Sequence, residues 1–164
     1  MSNVFEIMKQ LIKKLVLDFG YRLEKYVPPP PIASLSAIDE EIIRRGKQLV
    51  SKFSPDLSVL DGPFVGLKYP SLDITELALA PKIFGTYEKQ LHPFINNIVS
   101  GQYVDILDVG SAEGYYAVGM ARLMPETMIH CYDINTDDMK FCAEMAKLNK
   151  ISNITYHSFC SPQT

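Results

Sequence analysis

The stretch "ILDVGSAEGYYAVGMA" (residues 106–121) joins an apolar run to a run with helical spacing through Gly110 and Gly114, with Asp108 just ahead of them. "YVDILDVG" reads as a short strand ending in glycine, 114–124 as a helix of small apolar residues and "MIHCYDIN" as a second strand. Thr136 to Asn149 reads as a second helix and "NITYHSF" as a third strand. Strand, helix, strand, helix, strand in a stretch this short implies parallel strands joined by right-handed crossovers, one half of a doubly wound α/β sheet.

The rest of the chain is organised differently. Residues 1–26 form an amphipathic N-terminal helix by pattern: within 3–25 the apolar positions Val4, Ile7, Met8, Leu11, Ile12, Leu15, Val16 and Phe19 lie apart from Lys9, Lys13 and Lys14. Such a helix packs on its own domain or a sister subunit, or else lies on a membrane surface as a basic amphipath. Residues 27–35 are a proline-rich linker, "VPPPPIAS", too poor in amide donors to be helix interior. Residues 36–102 read as a mostly helical extension. A helix runs from Ser36 or Asp39 to Phe53, with Asp39, Glu40 and Glu41 in its first turn. The glycine- and proline-punctuated "VLDGPFVGLKYP" forms turns or a small hairpin, and helical segments follow over Thr75–Ile83 and Tyr87–Val99, broken at Gly85 and strained at Pro93. The fold class is thus α/β, a partial Rossmann-like parallel sheet (103–164) preceded by a helical N-terminal extension.

Composition narrows the function. The 164 residues are 47% hydrophobic and 21% charged with a net charge of −3, which lacks the basic footprint of a nucleic-acid binder. Cys131, Cys142 and Cys160 share no metal or redox spacing, so they read as reduced thiols and no metal is expected. No apolar run approaches the ~18 residues that cross a bilayer, and charges interrupt the N-terminal apolar residues, so the expected location is the cytoplasm.

In an open parallel sheet, ligands bind beyond the carboxyl ends of the strands, where the first strand turns into the first helix. Gly110 and Gly114 lie at that turn, and the helix start offers free amides. A carboxylate at Asp108 is a poor neighbour for a diphosphate. Counted from Gly110, Ala112 and Tyr115 stand where a dinucleotide fingerprint needs glycine, and no Gly-Lys-Ser/Thr loop is present, so an NAD-dependent oxidoreductase is disfavoured. Asp133 ends the second strand, where an acid can accept two ribose hydroxyls. An adenosine with a cationic amino-acid tail satisfies both acids, and S-adenosylmethionine is that ligand.

Residues 103–158 resemble the first half of a class I S-adenosylmethionine-dependent methyltransferase: "DVGSAEG" is similar to its glycine motif and "YDIN" to its ribose-binding strand end. With the downstream "LNK", "DVGSAEGYY" also resembles the FkbM-type branch, which methylates hydroxyls of sugars and other small products. The resemblance implies Gly110, Ser111, Ala112 and Gly114 around the methionine portion of the cofactor, Asp108 orienting that loop or a water at the amino group, Asp133 on the ribose and Ile134 against adenine. It implies a small-molecule or sugar hydroxyl as acceptor. Ala112 replaces the usual middle glycine, the third strand ends in "YHSFCS" rather than an acid, and strands four to seven are absent. The first strand is therefore expected to be an edge with an uncovered apolar flank. Two explanations compete: a fragment of a longer enzyme, or a short protein that hides the edge by self-association or by pairing with another chain as a non-catalytic module.

Among the remaining candidates, Glu88 in "GTYEKQLHP" either caps the cofactor ammonium from the segment before the first strand or is an ordinary helix-start acid. His92 reads as a surface or hinge residue, His130 as packed within its strand, and His157 as a strand-end group facing the pocket. Tyr115 and Tyr116 divide between core and acceptor rim. No catalytic base is assigned.

Overall fold

The computed structural model describes residues 36–74 and 77–160. The chain divides into two units, Met1–Ser34 and Leu35–Thr164. The N-terminal amphipathic helix and the proline-rich linker lie outside the described residues, as do Thr75 and Glu76.

Helix α1 spans Ala37–Phe53. Ser36 starts it with a reciprocal capping box: its hydroxyl accepts the Asp39 amide at 3.1 Å, and the Asp39 carboxylate accepts the Ser36 amide at 3.1 Å. The following turns carry one isolated antiparallel bridge, Ser58 with Lys68. Helix α2 is only Leu79–Ile83, shorter than the apolar spacing suggests. Pro81 is best tolerated in a first turn, and it stands at the third position of this helix. After a 3₁₀ turn at Lys89–Leu91, helix α3 runs His92–Val99. Pro93 falls in its first turn, where the missing amide is not needed, so the strain expected there does not arise.

Strands β1 (Asp105–Val109), β2 (Met128–Tyr132) and β3 (Ile154–His157) form one parallel sheet in the order β1-β2-β3. Helices α4 (Tyr115–Leu123) and α5 (Thr136–Leu148) connect them, which makes this a partial Rossmann-like α/β arrangement. Register pairs Ile106 with Ile129 and Asp108 with Cys131, so these four share one face. Ile129 and Cys131 are fully buried in one core with Ala117, Val118, Cys142 and Met145 from the helices. The other face is bare at β1: Leu107 is 53% and Val109 64% exposed. Among the described residues β1 is an outer strand of the sheet.

The residues before β1 join the same core. Val59, Phe64, Leu67, Tyr69, Leu79 and Ile83 are buried with the α4 residues. Phe64 lies so close to α4 that a Cβ on Gly119 would meet its ring at 2.6 Å. Asn153, ahead of β3, donates to the carbonyls of Ala121, Met124 and Thr127 at 3.1, 3.0 and 2.8 Å, closing the end of α4 against the sheet. Cys131 and Cys142 are buried, Cys160 is half-buried, and all three are free thiols. Among the described residues no helix is long and apolar enough to cross a membrane and no acid, histidine or cysteine cluster could hold a metal ion.

Candidate functional site

The glycine turn is a backbone structure held from the second strand. Gly110 and Ser111 both donate their amides to the Tyr132 carbonyl, at 2.8 and 3.1 Å. Three of the turn's residues have positive φ: Gly110 at 82°, Ala112 at 46° and Gly114 at 97°. Gly114 caps α4 in the left-handed conformation without a side chain to offer, and a Cβ there would collide with Cys142 Sγ. Gly110 is the opposite case, with nothing within 4 Å of an added Cβ. The first glycine therefore faces open space and the second faces packed core.

Asp108 and Asp133 stand at the same end of the sheet, as the expected site requires. The two oxygens of Asp133 are engaged separately: Oδ2 accepts the Ala112 amide at 2.9 Å and Oδ1 the Asn135 amide at 2.8 Å. Two of its roughly four lone-pair positions stay free for a ligand. Asp108 is half-buried, and its Oδ2 is shielded from solvent with no hydrogen-bond partner among the described residues. Burial pushes its pKa up, the nearby charges of Glu113 and Asp133 add to the rise, and the Ala117 backbone amide in the first turn of α4 opposes it. Asp138 is raised in the same way, by burial first and then by Asp133 and Glu113. No ion pair reaches Asp108, Asp133 or Asp138 among the described residues. The turn is thus an electronegative site with room for a cation.

A groove of about 390 Å³ opens at this end of the strands, lined among others by Gly110, Tyr132, Asp133, Ile134 and Ser158. Ile134 is 83% exposed there, as an apolar platform for a flat ligand would be. Ser111 is buried, with its hydroxyl 3.6 Å from Met139 Sδ, so only its backbone is presented to the turn. Glu88 is not among the residues lining that groove; the Tyr116 hydroxyl donates to its carboxylate. His92 bonds the Tyr87 carbonyl through Nε2 at 3.2 Å, a structural contact. Tyr115 is core, edge-on to Phe64 and Tyr87, and burial pushes its hydroxyl up to about 12. Tyr116 is at the rim, its hydroxyl also raised by burial and then by Glu88.

No family model matches the chain. No curated protein matches it either. Among solved structures, the chain is similar to a crystal structure of coclaurine N-methyltransferase bound to N-methylheliamine and SAH, with 16% identity and a TM-score of 0.39 over 98% of this chain. The chain spans 45% of the length of that one.

One component of the site escapes sequence reasoning. Glu113, inside the turn, is buried and receives the Lys82 ammonium at 2.6 Å and the Tyr69 hydroxyl at 3.1 Å. Lys82 is buried too, 4.9 Å from the Tyr87 ring centre and 5.7 Å from that of Tyr115. The pair pins α2 to the glycine turn. Its only sequence signal is a lone lysine in the apolar run "LALAPKIFG", since a cation buried there must find an anion.

The raised pKa of Asp108 makes the stability of the fold depend on pH. In the folded chain this group takes up its proton at higher pH than in the unfolded chain, so over that window the fold binds more protons and loses stability as pH rises. Asp108→Asn should therefore melt higher than the parent at neutral pH and flatten the slope of melting temperature just above the ordinary carboxylate range. A variant that melts lower at neutral pH, with the slope intact, would show that ionised Asp108 stabilises the fold.

Proposed function

We propose that the chain binds S-adenosylmethionine at the carboxyl ends of β1 and β2, and that it is the cofactor-binding part of a methyltransferase acting on a small-molecule or sugar hydroxyl. The observation that carries this reading is the open turn at Gly110 set between two acids, one of which keeps a buried oxygen without a partner. The negative charge of Asp108 beside the turn favours a ligand ammonium there, and Asp133 retains two acceptor positions for ribose hydroxyls. Gly110, Ser111, Ala112 and Gly114 offer backbone to the methionine portion, and Ile134 an apolar surface to the base. When bound, the cofactor supplies an electrophilic methyl group on a sulfonium. The chain's own residues hold and orient it, and Tyr115, Tyr116 and Phe64 exclude water from behind the turn.

A second reading is favoured by one observation, the bare apolar edge at Leu107 and Val109: a non-catalytic module that pairs with another chain through β1. Calorimetric titration separates the two. S-adenosylhomocysteine should saturate the chain and NAD should give no heat, with saturation lost in Asp133→Ala while its circular dichroism is retained. An NAD-only response, or no change in Asp133→Ala, overturns the cofactor reading.

A further inference from the structure

The face of the sheet away from α4 and α5 carries a line of polar side chains that crosses all three strands. Asp105 Oδ1 lies 2.9 Å from His130 Nε2, His130 Nδ1 lies 2.8 Å from Thr155 Oγ1, and Thr155 Oγ1 lies 2.9 Å from His157 Nε2. The His157 ring stacks on Tyr132 at 4.6 Å with 18° between the planes. His157 is not among the residues lining the groove at Gly110 and Ile134; it lines a second groove of about 410 Å³, which shares Asp133 and Ser158 with the first.

Counting protons along the line gives it a direction. An ionised carboxylate can only accept, so His130 Nε2 carries a hydrogen and donates to Asp105. In the neutral ring Nδ1 is then a lone pair, and the Thr155 hydroxyl must donate to it. That hydroxyl has spent its one hydrogen, so towards His157 it can only accept, and His157 Nε2 carries the next hydrogen. His157 Nδ1 is left as a lone pair, and no hydrogen bond reaches it among the described residues. One carboxylate on the edge strand thereby sets the tautomer of an imidazole two strands away.

We propose that Asp105, His130 and Thr155 are positioning residues that lock His157 in its Nε2-protonated tautomer, so that the strand end presents an acceptor nitrogen to the ligand beside Asp133. The ligand class this selects is a heterocyclic base bearing an exocyclic amine, against one bearing an oxo group in the same place. An amine donates to a lone pair; an oxo oxygen meets it with another lone pair and leaves both unpaired. The selectivity rests on the cofactor reading above, whereas the tautomer lock does not.

The lock is read on the free protein by nitrogen-15 NMR at about pH 8, where imidazoles are neutral. His157 should show a protonated Nε2 and an unprotonated Nδ1. Thr155→Val keeps shape and removes the relay, and Asp105→Asn allows the line to run in reverse, since an amide can donate. Both should give a mixture of tautomers while the fold is retained. Competition between S-adenosylhomocysteine and its 6-oxo analogue should favour the amine by about tenfold or more in the parent and by less in Thr155→Val. A protonated Nδ1 in the parent, or a tautomer unmoved by both substitutions, overturns the lock. An intact lock with equal affinity for the two ligands overturns the selectivity. Binding of neither ligand overturns the cofactor reading and the selectivity with it, and the lock still stands or falls on the free-protein spectrum.

Discussion

Gly110→Val should lower the affinity for S-adenosylhomocysteine by about a hundredfold or more, which is ~2.7 kcal/mol, and leave the fold in place. The backbone at Gly110 has φ 82°, a conformation that a β-branched residue adopts at a cost of about 1–2 kcal/mol, small beside the stability of a typical domain. The side chain itself meets no protein atom, because the space around an added Cβ is empty to 4 Å. Whatever binds in the turn would meet it instead. Gly114→Ala supplies the contrast: its Cβ collides with Cys142 Sγ in the packed contact between α4 and α5, and the φ of 97° is no kinder. That variant should lose stability first and binding only as a consequence. Calorimetry with thermal melts on both variants is the measurement. Undiminished binding in a folded Gly110→Val would remove the ligand from the turn altogether.

The largest effect on stability is expected at Lys82. Lys82→Met deletes a buried cation 2.6 Å from Glu113 and leaves a carboxylate in the interior without it, a loss of about 3–5 kcal/mol. For a domain with ~5–15 kcal/mol in total, that is enough to bring unfolding near physiological temperature. Neutralising the anion as well, in Lys82→Met with Glu113→Gln, should recover most of the loss, because an amide is far cheaper to bury than an unpaired charge. Urea unfolding of the parent, of Lys82→Met, of Glu113→Gln and of the double variant closes this cycle. If the single variant lost under ~1 kcal/mol, the pair would be solvated and the anchoring of α2 to the turn would need another cause.

How far the sequence disclosed this molecule depends on the range of the interaction. The three strands, the two crossover helices and the glycine turn were legible because each is written in local spacing: apolar runs of strand length, helical periodicity, glycines where φ is positive. The edge position expected for β1 agrees with its place in the strand order and with the exposure of Leu107 and Val109. Local chemistry also corrected the reading, since Pro81 and Pro93 each belong to a first turn and so shift a helix start or relieve an expected strain. What stayed hidden was long-range. Glu113 and Lys82 are 31 residues apart, and nothing in either neighbourhood names the other. Asp105, His130 and Thr155 align only through the register of three strands, which apolar patterning sets to within a face but not to a particular partner. Glu88 was legible as an acid in the segment before β1, yet its partner, the Tyr116 hydroxyl, depends on how that segment packs on α4.

Asp133 spans two elements, with one oxygen on the Ala112 amide and the other on the Asn135 amide at the cap of α5. The bend after β1 and the first turn of α5 therefore share a single fastener. Asn135 in turn accepts the Asp137 and Asp138 amides, so the chain of contacts reaches well into that turn. Amide hydrogens at Ala112, Asp137 and Asp138 should exchange with solvent as one group, slowing together when the groove is filled.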